Sequence, residues 1–137
     1  MSQLIIYKQD NGTVAIIRPT EDALTTLTIE AIAAKDVPAG IPFKIVDVAD
    51  IPSDRTFRNA WNADLTVDFP KAQALTKERL RADRKPLLEA QDVLFQRALE
   101  TGKDATAIVV EKQRLRDVTK LVDAATTLDA LKNMGVA

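Results

Sequence analysis

The stretch DRTFRNAWNAD, residues 54–64, holds the single tryptophan of the chain. Arg55 and Arg58 flank Phe57, and Trp61 lies four residues beyond Phe57. On a helix that spacing stacks the two rings on one face and the two guanidinium groups on another. Two uses suit such a cluster. Rings of this size bury a large area and anchor a small core, and Trp and Arg also dominate protein-binding hot spots. Base stacking on nucleic acid lacks the aromatic-bearing strand that RNA-binding sheets use. A second charged stretch, KERLRADRK over residues 77–85, sets five basic against two acidic side chains. It reads as a solvated helix face laced with pairs such as Glu78 with Arg81, or as a face that meets phosphate. The contact candidates are therefore Arg55, Phe57, Arg58 and Trp61, with Lys77, Arg81 and Arg84 on the second stretch.

No side chain stands out as a catalyst. The chain has no cysteine and no histidine, which removes thiolate nucleophiles, the commonest general base and the commonest transition-metal ligand. Ser2 and Ser53 are its serines, and neither sits in a Gly-x-Ser-x-Gly turn. The four glycines are isolated, so no phosphate loop is formed. Asp47, Asp50 and Asp54 lack the central glycine and terminal glutamate of a calcium loop. No catalytic, cofactor-binding or metal-binding residue is assigned, and a non-enzymatic protein is expected. A hydrolase built on two carboxylates is the competing enzymatic reading, although no spacing selects a pair.

These residues need elements to position them. LIIYKQDNGTVAIIRP predicts a β-hairpin, with strands Leu4–Lys8 and Val14–Arg18 joined at Asn11-Gly12 in a type I′ turn. Pro19 ends the second strand. TLTIEAIAAKDVP predicts a short helix capped by Thr28 and stopped by Pro38, and Phe43–Val48 a third strand. Asp54 or Ser53 is placed to cap a short helix running through Trp61. Leu65, Val67 and Phe69 alternate as a short edge strand or extended arm, and Asp68 with Pro70 marks a helix start. From Lys71 onward Ala, Leu, Glu, Lys and Arg dominate. Pro86 predicts a kink or break near Arg84–Lys85, with a second segment from Pro86 to Glu100, and Gly102 a C-terminal stop. Asp104 is the candidate cap for a helix from about Ala105 to Val122, and Thr126 with Asp129 for a last short one. Leu80, Leu87 and Leu94 recur at heptad spacing, which serves an intramolecular helix pair or a homo-oligomeric coiled coil.

The expected fold is α+β: an N-terminal β-hairpin plus third strand and short helix, followed by a C-terminal helical hairpin. Residues 1–64 and 65–137 form its two parts, either separately or as one integrated domain. With 4% aromatic residues the core is expected to be aliphatic, and a net charge of −1 gives no global field to draw in nucleic acid or an acidic membrane. No apolar run reaches the length of a membrane span. MSQLIIYKQDNG lacks the basic start and apolar run of a secretory signal, so folding in a cytoplasm is expected.

DRTFRNAW, then KERLRADRKPLLEAQDVLFQRALETG, then KQRLRDVT followed by TTLDALKNM resembles small proteins encoded among the tail and tail-fibre genes of tailed bacteriophages and prophages. Some of these are described as tail-assembly chaperones. The resemblance runs from about Val48 to the C-terminus. It implies a tail-associated structural or assembly protein that binds other phage tail or tail-fibre proteins, without a cofactor or a reaction, in the host cytoplasm during assembly and then in the virion tail. It carries over no functional residue. The alternative is a phage-encoded regulatory protein that binds a host protein or nucleic acid through residues 77–85.

Overall fold

The computed structural model describes residues 2–137, and the chain divides into two compact units, Met1–Asp68 and Phe69–Ala137. The N-terminal unit is built on an antiparallel sheet of β1 (Gln3–Lys8), β2 (Val14–Ile17) and β3 (Phe43–Asp47), in the order β2-β1-β3. The register pairs Ile6 with Ile16 and Lys44, and Ile5 with Ile17 and Ile45. Strand alternation then divides these residues between two faces. Ile5, Tyr7, Ile17 and Ile45 pack on one side against α1 (Glu21–Thr26) and α2 (Ile29–Asp36), through Ala23, Ile29, Ile32 and Ala33. Ile6, Val14, Ile16 and Val46 pack on the other side against Trp61, Ile51, Leu65 and Val67. Both faces of β1 are covered, which is why Leu4, Ile5 and Ile6 are buried in succession.

Helix α2 begins at the Thr28 cap, whose hydroxyl accepts from the Ala31 amide at 3.1 Å. Helix α1 was not expected. Its signal is the same in kind: Thr20 accepts from the Ala23 amide at 3.1 Å, and Glu21 and Asp22 fill the first turn.

The hairpin loop differs from the two-residue type I′ turn. The Gln9 amide donates to the Thr13 carbonyl at 2.8 Å and the Gly12 amide to the Gln9 carbonyl at 2.9 Å. Gly12 alone takes positive φ, at 84°. This is the three-residue loop with glycine in the left-handed position. Asn11 keeps negative φ while its side chain accepts from the Thr13 amide at 3.0 Å and the Thr13 hydroxyl at 2.6 Å.

The C-terminal unit consists of one long helix and three short ones. Helix α3 spans Phe69–Thr101 without interruption. It is followed by α4 (Thr106–Asp117), α5 (Lys120–Ala124) and α6 (Leu128–Lys132), each of which packs on α3. Ala72, Thr76, Leu80 and Ala98 of α3 are buried, as are Leu115, Val118, Val122 and Leu131 of the returning chain.

Of the kink or break expected near Arg84–Lys85, the break does not occur, since α3 is continuous through Pro86. Pro86 cannot donate to the carbonyl of Ala82, but both residues are exposed, so water can take that carbonyl. The second helix expected over Ala105–Val122 is divided instead. Val118 and Thr119 keep helical angles, but the Arg84 guanidinium takes the carbonyls of Leu115 at 3.3 Å and Arg116 at 2.8 Å. The last helix is capped by Thr127 rather than Thr126, through a 3.1 Å bond from the Ala130 amide. Among the described residues no helix is long and apolar enough to cross a membrane.

Candidate interaction site

The arginine–aromatic stretch is not the helix its spacing suggested. Only Arg58–Ala60 form a 3-10 turn. Asp54 turns back on itself, accepting from the Thr56 amide at 3.0 Å and the Thr56 hydroxyl at 2.7 Å. Trp61 and Val67 then form an antiparallel bridge, supported by the Asp68 amide donating to the Ala60 carbonyl at 2.8 Å. The connecting loop is tightly bonded. The Asn62 amide donates to the Thr66 carbonyl at 2.7 Å, and the Asp64 carboxylate accepts from the Thr66 amide at 3.0 Å and from the Thr66 hydroxyl. Those two bonds, the hydroxyl first, hold the Asp64 carboxyl below its ordinary range. Leu65 sits in the left-handed region at φ 67°, a strained position for a residue with a Cβ. Its side chain packs on the Ile6–Val14–Trp61 cluster, which offsets that strain.

This loop presses the indole into the sheet. Trp61 is 1% exposed and Phe57 7%. The Arg58 guanidinium lies over the indole at 4.8 Å from its centroid and donates to the Val14 carbonyl. Arg55 is further away, at 6.0 Å, and stays exposed. Burial, and then the neighbouring Arg55 charge, lower the Arg58 pKa from its ordinary value. Of the first four contact candidates, Phe57 and Trp61 thus lie within the core of the N-terminal unit, Arg58 covers the indole, and Arg55 faces solvent. Arg58→Ala should lower stability by about 1–3 kcal/mol, because it removes both a charged donor to a backbone carbonyl and a cation stacked on a ring. Arg58→Lys should recover only part of this, since an ammonium lacks the planar fork. Urea midpoints of the three proteins check the ranking.

The basic stretch on α3 is largely engaged within the C-terminal unit. Lys77 pairs with Asp123 at 2.7 Å. Arg84 holds the α4 carbonyls described above. Arg79 donates to the Leu131 carbonyl at 3.1 Å, and upstream of the run Gln73 donates to the Val122 carbonyl at 3.1 Å. Each acceptor lies in the last turn of α4, α5 or α6, where carbonyls have accepting capacity to spare; Val122 and Leu131 accept in addition from the Ala125 and Met134 amides, at 3.1 and 3.3 Å. Gln73, Arg84 and Arg79 therefore serve α5, α4 and α6 in turn, and the two arginines also suit the negative end of a helix dipole. Glu78 and Arg81 do not form the expected pair; Arg79 instead lies 3.8 Å from Asp83. Arg81 and Lys85 face solvent. The roles of Gln73 and Arg79 have no local signature, because their acceptors are 49 and 52 residues away.

The surface that remains carries several large apolar side chains among its charged ones. Beyond Pro86, α3 has no fully buried residue until Ala98, and Leu87, Val93, Leu94 and Leu99 are exposed. Val109 and Val110 of α4 are also exposed, Val110 at 64%. On one side of α3, Lys112 pairs with Asp92 at 2.6 Å and lies 5.1 Å over the Phe95 ring. A broad open cleft in the N-terminal unit, between the start of β1 and the α1–α2 junction, is lined by a single acid, Glu21. It does not bring two carboxylates together. Comparison of the chain with protein-family models, with curated proteins and with solved structures found no match.

Proposed function

We propose that the protein acts by binding other proteins, as a non-enzymatic structural or assembly component of a bacteriophage tail. In this reading α3 and α4 work as a helical hairpin whose outer faces meet a tail or tail-fibre component. The supporting observation is the concentration of exposed Leu87, Val93, Leu94, Leu99, Val109 and Val110 on two adjoining helices. Scattered apolar residues are normal on any surface, whereas a concentration of large ones is typical of interaction faces. The phage context comes from the sequence resemblance over residues 48–137.

Mass spectrometry of purified tailed particles, combined with cross-linking, tests this reading. Cross-links from lysines near this surface, Lys85 or Lys103, to a tail or tail-fibre protein are the expected result. Absence from finished particles, with the same cross-links in assembling lysates, would select the chaperone role over the structural one. A substrate turnover abolished by neutralising one carboxylate would overturn the reading altogether.

A further inference from the structure

Asp83, Leu87, Ala90, Leu94 and Arg97 follow one another along α3 at steps of four, three, four and three residues. That rhythm aligns them in one row, as in a coiled-coil seam. All five are exposed, with Leu87 at 41% and Leu94 at 44%. The Asp92–Lys112 pair, nearly half a turn around the helix, leaves this row unobstructed.

The order of side chains in the row is the informative part. An acid stands at its N-terminal end, a base at its C-terminal end, and two leucines lie either side of a small central residue. We infer that the row is the seam of a two-fold antiparallel dimer, in which α3 of one copy lies against α3 of a second copy with Ala90 at the crossing. Inverted about Ala90, Asp83 meets Arg97 of the second copy. Leu87 meets Leu94 to within one residue, a displacement of about 1.5 Å, and the two Ala90 side chains let the backbones approach. The same contacts recur on the other side of the axis, as an isologous interface requires. Parallel pairing would set Asp83 against Asp83 and Arg97 against Arg97, so the charges select the antiparallel arrangement. The existing tie on Asp83 is loose: Arg79 is 3.8 Å away and both side chains are about half exposed, at 41% and 50%. Arg97 uses its carbonyl, which accepts from the Thr101 hydroxyl at 2.8 Å, and its guanidinium faces water.

Sedimentation equilibrium on the intact chain should give twice the 15.0 kDa of one copy at high protein concentration. Asp83→Arg and Arg97→Asp alone should each raise the dimer dissociation constant at least about ten-fold, by facing like charges across the seam. Combined in one chain they should restore it, which separates a charge effect from misfolding. Because the chain has no cysteine, Ala90→Cys supplies one thiol per copy, close to its own image on the axis. It should oxidise to a covalent dimer. Thr101→Cys should not, because its two copies would be about 33 Å apart. A chain that stays monomeric at high concentration, a dimer indifferent to both reversals, or faster linking through Cys at 101 than at 90 would each overturn the inference. The dimer covers Leu87 and Leu94 and leaves Leu99, Val109 and Val110 open to a tail component, and the particle cross-linking experiment is read independently, so a monomer would leave the binding of tail components intact.

Discussion

Replacing Trp61 with alanine is expected to destroy the protection of the β1 amides, Leu4 to Lys8, against hydrogen exchange. The indole is the largest fully buried side chain and covers one face of a three-stranded sheet with Ile6 and Val14. Truncating a buried tryptophan removes about 3–5 kcal/mol. A unit of this size has a total stability of about 3–10 kcal/mol, so one substitution consumes much or all of it. The loss also reaches Arg58, whose guanidinium would have no ring beneath it. Trp61→Phe should retain part of the protection, because a ring still fills part of the site. If β1 remains protected in the alanine variant, the indole is not what holds the 54–68 segment on the sheet.

Pro86→Ala is expected to raise stability. A proline in a helix interior costs about 3 kcal/mol relative to alanine, and here α3 is continuous through it. Pro86 is exposed, so no packing is lost with the ring. The ring does restrict the unfolded chain, which returns about 0.4–1 kcal/mol of that cost. The net gain should be about 2 kcal/mol, or about 10 °C in thermal midpoint, followed by far-UV circular dichroism. A lower midpoint would mean that the proline bends α3 to follow the returning chain and that straightening it strains the Arg84 bonds to Leu115 and Arg116.

Pro86 also shows where reading a sequence by local rules stops. The rule that proline ends a helix treats its cost as decisive, whereas 33 residues of continuous helix with a packed face outweigh it. The hairpin, the third strand and the α2 cap were legible because each is decided within a few residues. The Phe57–Trp61 spacing was misleading, since both rings are buried from a 3-10 turn and its flanking loop, and Trp61 lies on a sheet face. One local rule recurs along the chain. Asn or Asp followed two residues later by Thr occurs at Asn11, Asp54, Asp64 and Asp104, and each time the acidic or amide oxygen takes both the amide and the hydroxyl of the threonine. Each marks a turn. The same pattern at Asp117 to Thr119 does not close: Val118 and Thr119 keep helical angles, and Gln113 and Lys120 both meet Asp117 Oδ1. Among the candidate contact residues, composition could not separate Arg81, which faces water, from Arg84, which caps another helix. That distinction depends on partners more than 30 residues away.

The only indole and the only phenol of the chain, Trp61 and Tyr7, both lie in the N-terminal unit, while the 33-residue helix lies in the other. Indole and phenol emission therefore comes from the first unit alone, and a blue-shifted indole spectrum reports that its sheet face is still closed. The unlabelled protein thus carries a spectroscopic gauge for one half of itself, against which any event in the long helix can be timed.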